Sequence, residues 1–368
     1  MLLTALIFFL ILSILVFIHE LGHFVVARVI GVHVEEFGLG LPPRIFGKKI
    51  GDTIYSVNWL PIGGFVRLAG EDEESHSSGF TQKNAKHLFW ARTKKERAAI
   101  LVAGVTMNFI LAVGITMYLL TQGIMEPTGS VRVERVLSGS PAALVGLEPG
   151  DVIRFASPYP GKKITLEMEP ELHKPSQLIE FTKNHLGEQV SLQVLRNGQL
   201  VSFVVVPRKE YPKGEGPMGV VITDLALHRY GVAEAPGLAV RINLSRAKDM
   251  FVSIGTTLWR LVTLKPLAED VAGPIGIAQV TGQAVKFGFL AVLEFMSILS
   301  LNLAVLNILP IPALDGGRLA FVFAEKLLGR RLRPAFERST HQVGMIILFA
   351  LMLLVSINDI ARLARGGS

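Results

Sequence analysis

Four stretches of the chain are apolar for long enough to cross a membrane, and polar, turn-rich segments separate them. The first is almost unbroken over residues 1–27. The second, 98–121, holds no charged residue, and the third, 287–315, holds only Glu294 before its end; the fourth covers 341–360. About 20 apolar residues in a helix cross the hydrocarbon core, so each stretch is expected as a transmembrane helix. The first lacks the basic start and small-residue cleavage site of a signal peptide, which makes it a retained span. Between the spans, 28–97 alternates short β-prone runs (Arg44–Lys49, Thr53–Trp59, Gly64–Leu68) with turns at Gly51-Asp52 and Pro61–Gly64. Glu71–Glu74 reads as a solvated acidic loop. Residues 233–265 mix apolar and basic positions at helical spacing, as in an amphipathic helix lying in the interface. Pro274, in Gly273–Gly276, breaks that pattern.

Composition agrees with the membrane reading. Half of the 368 residues are hydrophobic and 18% are charged, below the roughly 25% of globular domains. The net charge of +7 comes from Lys and Arg beside the apolar blocks. With no aromatic-interleaved basic patch, no nucleic-acid partner is expected, and the lipid bilayer is. The absence of cysteine excludes disulfides and thiolate metal sites.

Residues 128–224 have a different character. Val131–Val136, Gln189–Leu195 and Leu200–Val206 alternate like strands, and Asn197-Gly198 is a hairpin turn. Ser140 can cap a short helix that starts at Pro141 and ends at Gly146, ahead of a turn at Pro149-Gly150-Asp151 and a strand at Val152. This arrangement resembles a PDZ domain, with a longer connection than usual at Ser157–Pro175. Pro217-Met218-Gly219-Val220 is similar to the loop that receives a peptide end in circularly permuted bacterial PDZ domains.

The candidate chemistry lies at the end of the first span. His19 and His23 are four residues apart, so on a helix they share one face and can hold one metal ion, with Glu20 placed to reach water that the metal activates. Mutual hydrogen bonding in a helix bundle is the plainer alternative. Two histidines without cysteine need a further donor, and Asp315 closes another span, although a helix-terminal Asp at the headgroups would look the same. Gly104 and Asn108 share a face of the second span, which suits close helix contact with a hydrogen bond across it. Small sheets such as that of 38–68 can pair with an unwound substrate or merely connect two spans, and the residues leave both open. With four spans, the basic loops 28–97 and 314–341 fall on one side, expected to be cytoplasmic, and the PDZ-like domain on the other. His23 and Asp315 then lie at matching depth.

Together, H-E-L-G-H (19–23), Gly104 to Asn108, the PDZ-like insert, G-P-I-G (273–276) and Asn307 to Gly316 (N-x-x-P-x-P-x-L-D-G) resemble the site-2 proteases, in the bacterial sigma-E-regulating branch. The resemblance spans the whole chain, with one PDZ-like domain where that branch often has two. It implies a polytopic α-helical membrane protein of about four spans, with membrane-associated β-hairpins and an inserted α+β PDZ-like domain, in the bacterial inner membrane with that domain periplasmic. It implies Zn2+ on His19, His23 and Asp315, Glu20 as catalytic base, and Asn307 as an aid to substrate holding. Asn302, Pro310 and Pro312 join Asn307 as substrate-binding candidates. The implied activity is hydrolysis of peptide bonds within or near the spans of single-span membrane proteins, such as anti-sigma factors or signal-peptide remnants. A non-catalytic adaptor binding exported polypeptide ends through the PDZ-like domain is the alternative; a metal transporter is disfavoured, since the polar groups form no path across.

Overall fold

In the computed structural model, the described residues are 2–71, 86–159, 171–212, 214–263 and 273–364. The acidic run beyond Glu71 and residues 160–170 of the long connection lie outside them. Two units are separated, residues 1–121 with 231–368, and residues 122–230.

In the first unit, α1 (Leu2–Ile30) and α2 (Lys94–Gln122) are the first two long apolar helices. They pack closely because Gly22 has no side chain: a Cβ there would sit 2.5 Å from the Ala103 carbonyl oxygen. A reciprocal cap starts α2. The Thr93 N–H donates to Glu96 Oε2 (2.8 Å), and the Glu96 N–H donates to Thr93 Oγ1 (3.3 Å).

Between these helices lie β1 (Val34–Ile50) and β2 (Thr53–Leu68), joined by the expected Gly51-Asp52 turn. The expected break at Pro61–Gly64 is a bend within β2, and β1 has a matching irregularity between Leu41 and Arg44, around the cis Pro42-Pro43 bond. Glu36–Leu39 therefore lie in register both with Gly64–Arg67 and with Ile54–Val57, while Arg44–Ile50 pair with Thr53–Asn58. Buried Glu36 holds the bend by accepting from Arg44 Nη2 (2.5 Å) and Ser56 Oγ (2.6 Å). The outer part of this sheet exposes Ile45, Phe46, Ile50 and Trp59.

After the second unit come α5 (Ala235–Val262), α6 (Pro274–Phe287), α7 (Phe289–Ile308), α8 (Asp315–Leu328) and α9 (Pro334–Ala364). The third span corrects the expected 287–315 at both ends: Phe287 closes α6, so the helix starts at Phe289, and it stops at Ile308, with Asp315 opening a separate helix. Pro310 and Pro312 lack the N–H groups that would continue α7, so the chain turns over Leu309–Leu314. Gly273–Gly276, expected as a break, opens α6, with Pro274 in its first turn. The buried carboxylate of Asp359 on α9 accepts from the N–H groups of Gly273 (3.3 Å) and Gly276 (2.9 Å). Glu294 pairs with Arg246 of α5 (3.5 Å). Four helices among the described residues are long and apolar enough to cross a membrane, α1, α2, α7 and α9; α5 is not among them.

The second unit is a five-stranded antiparallel sheet, ordered β6 (Gln199–Val205), β5 (Val190–Arg196), β4 (Val152–Ser157), β3 (Ile124–Val136), β7 (Val220–His228). Two helices accompany it, α3 (Pro141–Leu144) and α4 (Pro175–Asn184), over a core that includes Val131, Ile153, Leu178 and Leu192. Ser140 Oγ caps α3 by accepting from the Ala143 N–H (3.2 Å). Asn197 and Gly198 both have positive φ, as a tight two-residue hairpin requires.

Candidate metal centre

Three donors from two distant parts of the chain converge in the first unit. His19 Nε2 lies 2.9 Å from Asp315 Oδ2, and His23 Nε2 lies 3.2 Å from the same oxygen. The two Nε2 atoms are 3.2 Å apart. Both histidines are buried on one face of α1, as the four-residue spacing requires. Tetrahedral ligands about 2.0–2.1 Å from one zinc ion stand about 3.4 Å from one another, so this nitrogen and carboxylate set fits zinc with little adjustment.

The helix facing α1 shapes the pocket. Gly104 of α2 leaves room for both imidazoles: a Cβ there would come within 2.4 Å of His23 Nε2 and 2.8 Å of His19 Nε2. His23 Nδ1 donates to the Ile100 carbonyl (2.8 Å), which leaves Nε2 free to bind a cation. The Asn108 amide lies against His19 Nδ1 (3.2 Å), the cross-helix bond expected from the Gly104 to Asn108 spacing.

Glu20, on the next α1 position, turns toward the sheet, where its Oε2 accepts from the Val66 N–H (3.0 Å). Gly64 brings the β2 backbone close, its added Cβ falling 3.8 Å from Glu20 Cγ.

Asp315 is delivered by a turn that the sequence did not announce in full. Gly316 and Gly317 let α8 fold back on it, since added Cβ atoms would strike the Leu309 oxygen (2.0 Å) and the Ile311 oxygen (2.4 Å). Ala313 holds a positive φ of 78°, uncommon outside glycine, and its N–H donates to His341 Nδ1 on α9 (2.9 Å). A buried ion pair, Arg97 Nη1 to Glu325 Oε2 (2.8 Å), fixes α8 to the start of α2. His341, Arg97 and Glu325 were not singled out from sequence: each works through a residue distant in the chain, and none belongs to a local pattern.

The other candidates lie on α7 and on the turn that follows it. Asn307 is buried in the last turn of α7 and Asn302 is partly buried; among the described residues neither side chain makes a hydrogen bond. Pro312 is pressed against α9, where a Cβ on Gly344 would fall 2.3 Å from its Cβ. Pro310 is exposed in an apolar groove.

The chain matches peptidase family M50 over residues 7–351. CPE1693 of Clostridium perfringens is 32% identical, over 95% of this chain and 96% of its own. Zinc metalloprotease RasP of Bacillus licheniformis is 29% identical, over 98% of this chain and 99% of its own. Regulator of sigma-W protease RasP of Bacillus subtilis is 28% identical over the same shares. With these relatives and four membrane-length helices, the chain belongs to peptidase family M50, as a multi-pass, intramembrane zinc metalloprotease.

Proposed function

We propose that His19, His23 and Asp315 hold the zinc ion and that Glu20 is the catalytic base. The convergence of the three donors at 2.9–3.2 Å carries this reading. Zinc bound there supplies Lewis acidity toward water and the scissile carbonyl. Glu20 takes a proton from the attacking water and hands it to the departing amine nitrogen. The Val66 N–H orients the Glu20 carboxylate for both transfers, and Ile100 sets the His23 tautomer.

A substrate span hides its carbonyls in i→i−4 bonds and must unwind to be cut. The 64–68 segment of β2, beside Glu20, offers main-chain groups to an unwound strand. Asn302 and Asn307 of α7 and Pro312 of the turn leading to Asp315 are the residues we assign to its other side, whereas Pro310 faces the separate apolar groove. The Bacillus subtilis relative named as a regulator of sigma-W supports single-span anti-sigma factors as substrates, with signal-peptide remnants as a second class of the same topology. The basic loops support a cytoplasmic position, in the bacterial inner membrane, for the proposed catalytic ends of α1 and α7. The same rule supports a periplasmic position for the second unit, which we read as a PDZ-like domain from its capped α3, hairpin and edge strand β7. Membership of a zinc protease family removes the grounds for the adaptor reading.

Replacing Glu20 by Gln keeps the shape and removes the base. Glu20→Gln is expected to retain stoichiometric zinc by elemental analysis and to lose cleavage of a single-span substrate by at least about 100-fold. Turnover near wild type would end the assignment.

A further inference from the structure

The turn between α7 and α8 has two sides. Ala313, Leu314 and Asp315 line a charged cavity of about 580 Å3 that also holds Arg318 and His341. Pro310 and Gly316 line a different space, an apolar groove of about 830 Å3 between the first turn of α2, the end of α7 and α8. Leu319, Val322 and Phe323 of α8 make its apolar wall, and Phe323 is 59% exposed. Lys94, Lys95 and Lys326 stand at the groove, and among the described residues Lys95 and Lys326 make no ion pair. Lys94 Nζ donates to the Glu325 carbonyl (2.8 Å).

The groove opens where α2 begins and α7 ends, at one end of two membrane-length helices, and so at headgroup depth. The α8 wall is helical, so it offers no strand edge to an unwound peptide. What the groove offers is an apolar slot, within the usual range of about 300–1,000 Å3 for ligand pockets, with cations beside it. We infer that this groove binds an anionic phospholipid, one acyl chain against Leu319, Val322 and Phe323, and the phosphate on Lys95 and Lys326. The lipid wedges α8 against α2 and α7, and so helps to hold the helix whose first residue is Asp315.

The test uses the full chain, purified, stripped of lipid in detergent, and returned to phosphatidylglycerol, phosphatidylcholine or inorganic phosphate. Phosphatidylglycerol is expected to raise the unfolding midpoint by about 3 °C and to slow zinc loss to a chelator. Phosphatidylcholine and phosphate are expected to do neither, which separates a lipid from a free anion. The double variant K95E/K326E should keep its zinc and lose the response. Ala320→Trp, which fills the slot and leaves every lysine in place, should lose it as well. Equal responses to both lipids, or an undiminished response in either variant, would overturn the inference. So would displacement of phosphatidylglycerol by a substrate span, which would make the groove a substrate site.

Discussion

At the proposed site, zinc held by the Nε2 of His19 would leave a hydrogen on Nδ1, and that hydrogen would need an acceptor. At His23 the Ile100 carbonyl provides one; at His19 the group in reach is the Asn108 amide, whose Nδ2 faces the ring while its buried Oδ1 has no partner. An amide turned by half a rotation has the same shape, and a protonated Nδ1 would favour the orientation with Oδ1 on the ring. Asn108→Leu is therefore expected to weaken zinc binding about 10–100-fold in a chelator competition, while Asn108→Asp, still an acceptor, holds it near wild type. Equal loss in both variants would show that the amide acts as donor. At this scale the sequence was most readable where the chemistry repeats locally. His19, Glu20 and His23 fall within five positions, and the Gly104 to Asn108 spacing predicted a cross-helix bond without revealing that its partner is His19, a proposed zinc ligand. His341 and Ala313 carry no local mark, since their pairing depends on how α9 crosses the turn.

Helices and strands were legible in kind and less so in extent. Apolar length placed four spans, but α7 ends seven residues before Asp315, because two prolines remove the donors that a continuous helix would need. The proposed ligand Asp315 consequently rides on α8, a 14-residue helix that is not among those long and apolar enough to cross a membrane. One buried ion pair, Arg97 to Glu325, ties that helix to α2. Removing one partner of such a pair leaves an uncompensated buried charge, at a cost of about 3–5 kcal/mol. Glu325→Ala should thus lower the denaturation midpoint and release zinc faster than wild type; unchanged zinc release would show that the ion pair does not hold α8 in place. The β region was misread in another way. Its three short runs belong to two strands that bend, and turn residues cannot distinguish a bend within a strand from a break between strands.

In the molecule as a whole, the two units obey different rules. The membrane windows are only 17–33% buried, as expected where lipid covers the rest, whereas the second unit encloses its own core. That unit was the most legible, its cap, hairpin and strands lying where turn chemistry put them, and its limits widened from 128–224 to 122–230 by the pairing of Ile124 with His228. It also has its own acid limit. Burial raises the Asp151 carboxyl, but the Arg196 guanidinium and the Glu148 N–H outweigh this and hold its pKa below the usual value. A lowered folded pKa means stability that is present above the unfolded value, near 3.9, and lost as pH falls through the folded one. Hydrogen exchange of β4 and β5 in the full chain should accelerate below about pH 4, and Asp151→Asn should show the fast exchange already at neutral pH. The other long-range fact concerns time. His19 and Asp315 are 296 positions apart, and a ribosome adding about 5–20 residues per second covers that interval in about 15–60 s. A nascent chain thus carries His19, Glu20 and His23 well before Asp315 exists, so the proposed zinc site cannot be completed until most of the protein has been made.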